Sequence, residues 1–107
     1  MKALNTMKYV SNMIETLTEY KARIEKAETY EAAKRTAHKM FGYIDCMTTF
    51  LNTMICTENN DFTAELDEVI DDWTAKTYQA MIDKAAETRQ SNDLILQLCG
   101  ARDNFRA

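Results

Sequence analysis

Proline is absent from this chain and glycine occurs only twice, at Gly42 and Gly100. An all-β domain needs turn residues about every ten positions, and these are missing. Ala, Leu, Met, Glu and Lys are plentiful instead, so composition alone points to an all-α fold. Two isolated glycines also rule out a Gly-rich phosphate loop. Histidine is nearly as scarce. His38 stands alone among Lys34, Arg35 and Lys39, and no Cys–His or Ser–His–Asp arrangement can be assembled around it with any specificity. A helical di-iron site would need Glu-x-x-His twice, but the residue three before His38 is Arg35. No catalytic residue, cofactor or metal ligand is expected, and His38 reads as exposed on a small basic face.

Other absences narrow the class further. No basic tail or Lys/Arg run occurs, which disfavours direct nucleic-acid binding. Cys46, Cys56 and Cys99 are odd in number and lack C-x-x-C spacing, as fits a reduced, cytoplasmic compartment. The opening MKALNTMKYVSNMIETL has no unbroken apolar block, so no export signal is expected. The most apolar stretch, MFGYIDCMTTFLNTMIC (Met40–Cys56), falls short of the roughly 20 residues a membrane span wants. It is broken by Asp45, Asn52 and three threonines, so no membrane partner is expected and the stretch reads as a core helix.

What is present is ordered. At 107 residues the chain matches one domain, able to bury roughly two-thirds of its unfolded surface. Apolar residues at Ala3, Met7, Val10, Ile14, Leu17 and Ile24 alternate steps of four and three, interrupted only by Lys21. A second stripe runs Ala33, Ala37, Met40, Ile44, Met47, Leu51 and Met54. The phase breaks between them, because continuing the first heptad would set Glu28, Glu31 and Arg35 on the seam. Thr29 is the expected N-cap of the second helix, with Glu31 in its first turn. A very short loop then makes an antiparallel hairpin about 31 Å long. Its register pairs Ala3 with Met54, Met7 with Leu51, Val10 with Met47, Ile14 with Ile44 and Leu17 with Met40, and lays Lys21 against Ala37.

A third helix is expected after TENND, capped by Asn60 or Asp61 and running to about Gln90. Its stripe is Phe62, Leu66, Val69, Ile70, Trp73, Thr77, Ala80 and Met81. After Ala75 a second apolar line appears at Ala75, Tyr78, Ile82 and Ala85, more than 90° round the helix. That half of the helix needs two neighbours. One candidate is a short fourth helix, SNDLILQLCG, capped by Ser91 or Asn92, burying Leu94, Ile95 and Leu98 and stopped by Gly100. The other is a second copy of the chain. The expected fold is therefore an antiparallel helical bundle, three long helices plus a short C-terminal fourth.

Charge is uneven: Asp61–Gln90 carries −5 of a chain total of −4. The run DFTAELDEVIDDW sets six carboxylates into twelve residues with no Lys or Arg. A solvated face that complements the helix dipole accounts for this, and so does a partner-binding surface. Like charges at 67/71 and 68/72 repel at i,i+4, which a bound basic partner would relieve. Glu65, Glu68, Asp71 and Asp72 could also be read as a divalent-metal site of a nucleotide hydrolase. Such a site wants a second acidic cluster on the preceding helix, which offers only Asp45 between Met40 and Cys56. The reading favoured by the residues is a non-enzymatic protein-binding module of the inhibitor, immunity or adaptor type. Its site would be the acidic-to-apolar line Asp67, Glu68, Asp71, Asp72, Tyr78 and Ile82, and its partner a protein with a basic surface. The alternative is a homodimeric assembly protein using the same line.

Overall fold

The computed structural model describes residues 2–59 and 61–105, with backbone only for residues 2–5. It holds four helices and, among the described residues, no strand: α1 (Lys2–Lys26), α2 (Tyr30–Glu58), α3 (Thr63–Glu87) and α4 (Asn92–Asp103). The fold is an all-α bundle. No helix among the described residues is long and apolar enough to cross a membrane. At 25 and 29 residues, α1 and α2 outrun their apolar stripes, because Lys, Arg and Glu at the ends propagate a helix as well as core residues do.

Local chemistry sets most of the ends. Thr29 caps α2, its side chain accepting from the amide of Ala32 at 3.1 Å, with Glu31 in the first turn. Ser91 caps α4 in the same way through Leu94 at 3.2 Å. With glycine so rare, left-handed residues at helix ends fall to Asn59 after α2 and Arg89 after α3. The amide of Gln90 reaches back to the Ala85 carbonyl and that of Arg89 to Ala86, which closes α3 three residues before the expected Gln90. Phe62 precedes α3 without a side-chain cap. Asn60, one expected cap, lies outside the described residues. Gly100 does not stop α4: its φ is not positive and the helix runs on to Asp103.

The helices α1 and α2 run in opposite directions. Thr6 donates to Glu58, Tyr9 packs edge-on against Phe50 at 5.2 Å, and Tyr20 meets Tyr43 at 6.0 Å. Thr6–Glu58 and Tyr20–Tyr43 lie further along α2 than the sequence register has it, which would face Thr6 with Leu51 or Asn52 and Tyr20 with Ala37 or His38, while Tyr9–Phe50 falls within one residue of that register. The expected pairing of Ala3 with Met54 lies outside the described side chains. Helix α3 runs antiparallel to α2, with Phe41 against Tyr78 at 4.9 Å and Thr77 Oγ1 in contact with Met40 Sδ at 3.4 Å. It therefore runs parallel to α1, which it touches more thinly than it touches α2 or α4.

Burial follows this arrangement. On α2 the buried residues are Tyr30, Ala33, Ala37, Met40, Ile44, Leu51 and Ile55, so the expected stripe holds except at half-buried Met47 and drifts by one position at its end. On α1 the most buried side chains are Thr6, Met13, Leu17 and Ile24, while Met7 is 56% exposed and Ile14 half-buried. A helix with two neighbours presents its deepest line to the space between them, rather than to either one alone. Threonine, rarely a favoured helix residue, is accommodated by back-bonding: Thr48, Thr74 and Thr77 each donate to the carbonyl four residues earlier.

A lysine closes the far end. Lys84, only 3% exposed, donates to the carbonyls of Glu25 at 2.9 Å and Ala27 at 2.7 Å and pairs with Glu87 at 3.1 Å. All three ammonium hydrogens thus have acceptors, two of them at the negative end of the α1 dipole.

Tyr30 is buried at the start of α2. Burial, and behind it the carboxylate of Glu31, raises its phenol above the ordinary value. The folded state holds this proton more tightly than the unfolded chain. Its stabilising contribution is therefore complete below about pH 10 and is lost as pH rises through the folded value. Urea midpoints should fall more steeply above about pH 10 for the wild type than for Tyr30→Phe. Parallel curves would show that the Tyr30 proton is not linked to folding.

Candidate functional site

The acidic residues sit where α3 runs past the end of α4. Helix α4 packs back along α3, with Arg102 Nη1 donating to Gln79 Oε1 at 2.8 Å and Phe105 stacked on Tyr78 at 6.2 Å. On that face of α3, Tyr78, Ile82 and Ala85 lie from this level on and Ala75 one turn before it; ahead of these come Glu68, Asp71 and Asp72. The change from carboxylates to apolar side chains thus marks the edge of what α4 covers.

Tyr78 and Ile82 therefore do not continue the acidic face into an open apolar line. Ile82 is 9% exposed and belongs to the core, and Tyr78 lies between Phe41 and Phe105. Their spacing signalled a second neighbour, and that neighbour is α4. The carboxylates do lie in solvent: Glu65, Asp67, Glu68, Asp71 and Asp72 are all exposed. Asp72 pairs with Lys76 at 2.9 Å, and the Lys76 ammonium sits 4.6 Å above the Trp73 ring. Among the described residues, Glu65, Asp67, Glu68 and Asp71 have no ion-pair partner, nor do any three His, Cys, Asp or Glu side chains converge where they could share a metal ion.

An apolar surface lies beside this acidic half, on a side that sequence reasoning did not single out. Where α1 and α3 touch thinly, their N-terminal halves leave an open groove of about 390 Å³. Met7, Val10 and Ile14 form one wall and Phe62, Leu66 and Val69 the other, with Thr6, Ser11 and Glu65 the polar members. Steps of three and four set Glu68 and Asp72 on the same side of α3 as Glu65, whereas Asp67 and Asp71 turn away from the groove. The α3 rim is acidic, and the α1 rim, at Met7 and Ser11, has no net charge, since Lys8 and Glu15 one turn either side of Ser11 are of opposite sign.

The interruption of the α1 stripe at Lys21 marks where this groove ends. Met7, Ile14 and Lys21 recur every seven residues on one side of α1, and Lys21 pairs with Glu25 at 3.4 Å. It faces α3 in a second, charged cleft of about 290 Å³, with Glu25 opposite Lys76, Asp83, Lys84 and Glu87. The apolar character of the α1–α3 seam ends where lysine replaces the methionine and isoleucine of this line.

The remaining candidates are on the surface. Lys34, Arg35, His38 and Lys39 are exposed near the start of α2. Cys46 and Cys56 are exposed and Cys99 half-buried, all with free thiols. Comparison of the chain with protein-family models, with curated proteins and with solved structures gave no match.

Proposed function

We propose that this chain is a non-enzymatic protein-binding module of the inhibitor, immunity or adaptor type. Its site would be the uncovered N-terminal half of α3 together with the groove that half makes with α1. The observation that carries the reading is the groove: apolar on both walls, open to solvent, and flanked on one side by unpaired carboxylates. An exposed, concave apolar surface next to concentrated charge of one sign is the composition of an interface, with a desolvated centre and a charged rim. The acidic site residues Asp67, Glu68, Asp71 and Asp72 keep their place in this reading, and Tyr78 contributes only its half-buried edge.

Two charge reversals test it. In a pull-down from native extract, a protein retained by the wild type should be lost with Glu65→Lys/Glu68→Lys, on the groove side. It should be weakened less with Asp67→Lys/Asp71→Lys, on the other side. An identical partner profile for all three proteins would refute the reading. The homodimer remains the second reading because Lys34, Arg35, His38 and Lys39 form an exposed group of opposite charge to the α3 face. Sedimentation over a range of concentrations separates the two, since a monomer throughout leaves the site to another protein.

A further inference from the structure

We infer that the α1–α3 groove seats an amphipathic helix of a partner protein, one that carries lysines and arginines along the single flank facing α3. This rests on the protein-binding reading above and adds the chemistry and shape of the occupant.

The shape comes from the groove walls. Two parallel helices bound it from Thr6 to Ile14 and from Phe62 to Val69, a length of about 12 Å or a little over two helical turns. A furrow between parallel helices accepts a third rod, whose apolar residues at i, i+3, i+4 and i+7 drop between the two ridges. Met7 on the α1 wall is flexible and polarisable, as suits a wall that must fit side chains from outside the chain.

The chemistry comes from the rims. Glu65 lines one edge, Glu68 and Asp72 follow it on that side of α3, and α3 has no basic residue before Lys76, which pairs with Asp72. The opposite edge offers Met7 and Ser11, and the charges one turn either side of Ser11, Lys8 and Glu15, are of opposite sign and leave that edge without net charge. A helix with basic residues on both flanks would gain from only one of them, and an acidic helix would be repelled.

A second copy of this chain does not fit as well. Its most exposed large hydrophobic residue among the described ones, Leu96, lies on α4, whose one basic residue, Arg102, is held by Gln79 and Asp103. Around its exposed basic group, Lys34 to Lys39, none of the exposed large hydrophobic residues Met7, Tyr9, Phe50, Leu96 or Phe105 is close in sequence.

The test uses the intact chain and three fluorescein-labelled synthetic peptides of equal length. One is an amphipathic helix with leucines on one face and Lys/Arg on one flank. The second has the same composition scrambled so that the leucines no longer share a face, and the third carries Glu on the flank. Fluorescence anisotropy should show saturable binding of the first, at least about tenfold tighter than the others, and weakened by salt. Glu65→Lys/Glu68→Lys should weaken it by about tenfold or more. Met7→Asp, at an exposed position, should do the same while leaving the circular dichroism unchanged. Amide shifts on binding should concentrate in residues 6–14 and 62–69.

Equal binding of the scrambled peptide, or shifts elsewhere, would overturn the inference. So would a concentration-dependent dimer abolished by Met7→Asp, which would make the second copy the occupant. Failure of all three peptides alongside a pulled-down partner that still depends on Met7 and Glu65 would overturn the helix and leave the protein-binding reading standing. Failure of both would remove both.

Discussion

Lys84→Met is expected to lower stability by about 2–3 kcal/mol, or about 10–15 °C in Tm for a domain of this size. Methionine preserves most of the stem volume, so the loss isolates the ammonium. Without it the Glu25 and Ala27 carbonyls lose their donor in a place that 3% exposure shows to be nearly closed to water. An unsatisfied buried carbonyl costs about 1–3 kcal/mol, and the favourable charge at the end of the α1 dipole disappears as well. Relief from burying an ammonium works in the other direction and keeps the estimate below the sum of these costs. Glu87→Gln is the control: Glu87 is exposed, and its pair with Lys84 should contribute less than about 1 kcal/mol. A urea midpoint for Lys84→Met equal to that of the wild type would mean that water replaces the ammonium without loss.

Lys84 also shows what the sequence conceals. Two heptads after Ile70 it continues the inward stripe of α3, where an unpartnered charge would be costly, and nothing within α3 reveals the acceptors waiting on α1. Features made by neighbours in sequence were legible: the caps at Thr29 and Ser91, the stripe from Ala33 to Leu51, and four helices from a chain without proline. Features made by packing were not. Periodicity says that a face is covered, but not by what. Tyr78 and Ile82 therefore read equally well as an intermolecular face or as the seat of α4, and the structure shows the latter. The acidic half of the candidate site was readable because carboxylates in solvent need no partner to be recognised. Its apolar half was not, because Met7, Val10 and Ile14 fit a seam against α2 as neatly as a wall facing α3.

Met13→Ala and Met7→Ala should therefore part company. Met13 is fully buried, and truncating it leaves a cavity in the core, at a cost of about 2–4 kcal/mol. Met7→Ala removes a half-exposed side chain from an open groove and should change stability by no more than about 0.5 kcal/mol. A hairpin with Met7 facing Leu51 would give the opposite order, so the two urea midpoints decide between the registers. The same pair separates structure from function. If the groove is the binding surface, Met7→Ala should weaken binding in a protein that unfolds like the wild type. Met13→Ala, measured at a temperature where it is still folded, should bind normally. A side chain that costs binding but not stability is held at the surface for something other than the fold, and this groove is where that distinction can be measured.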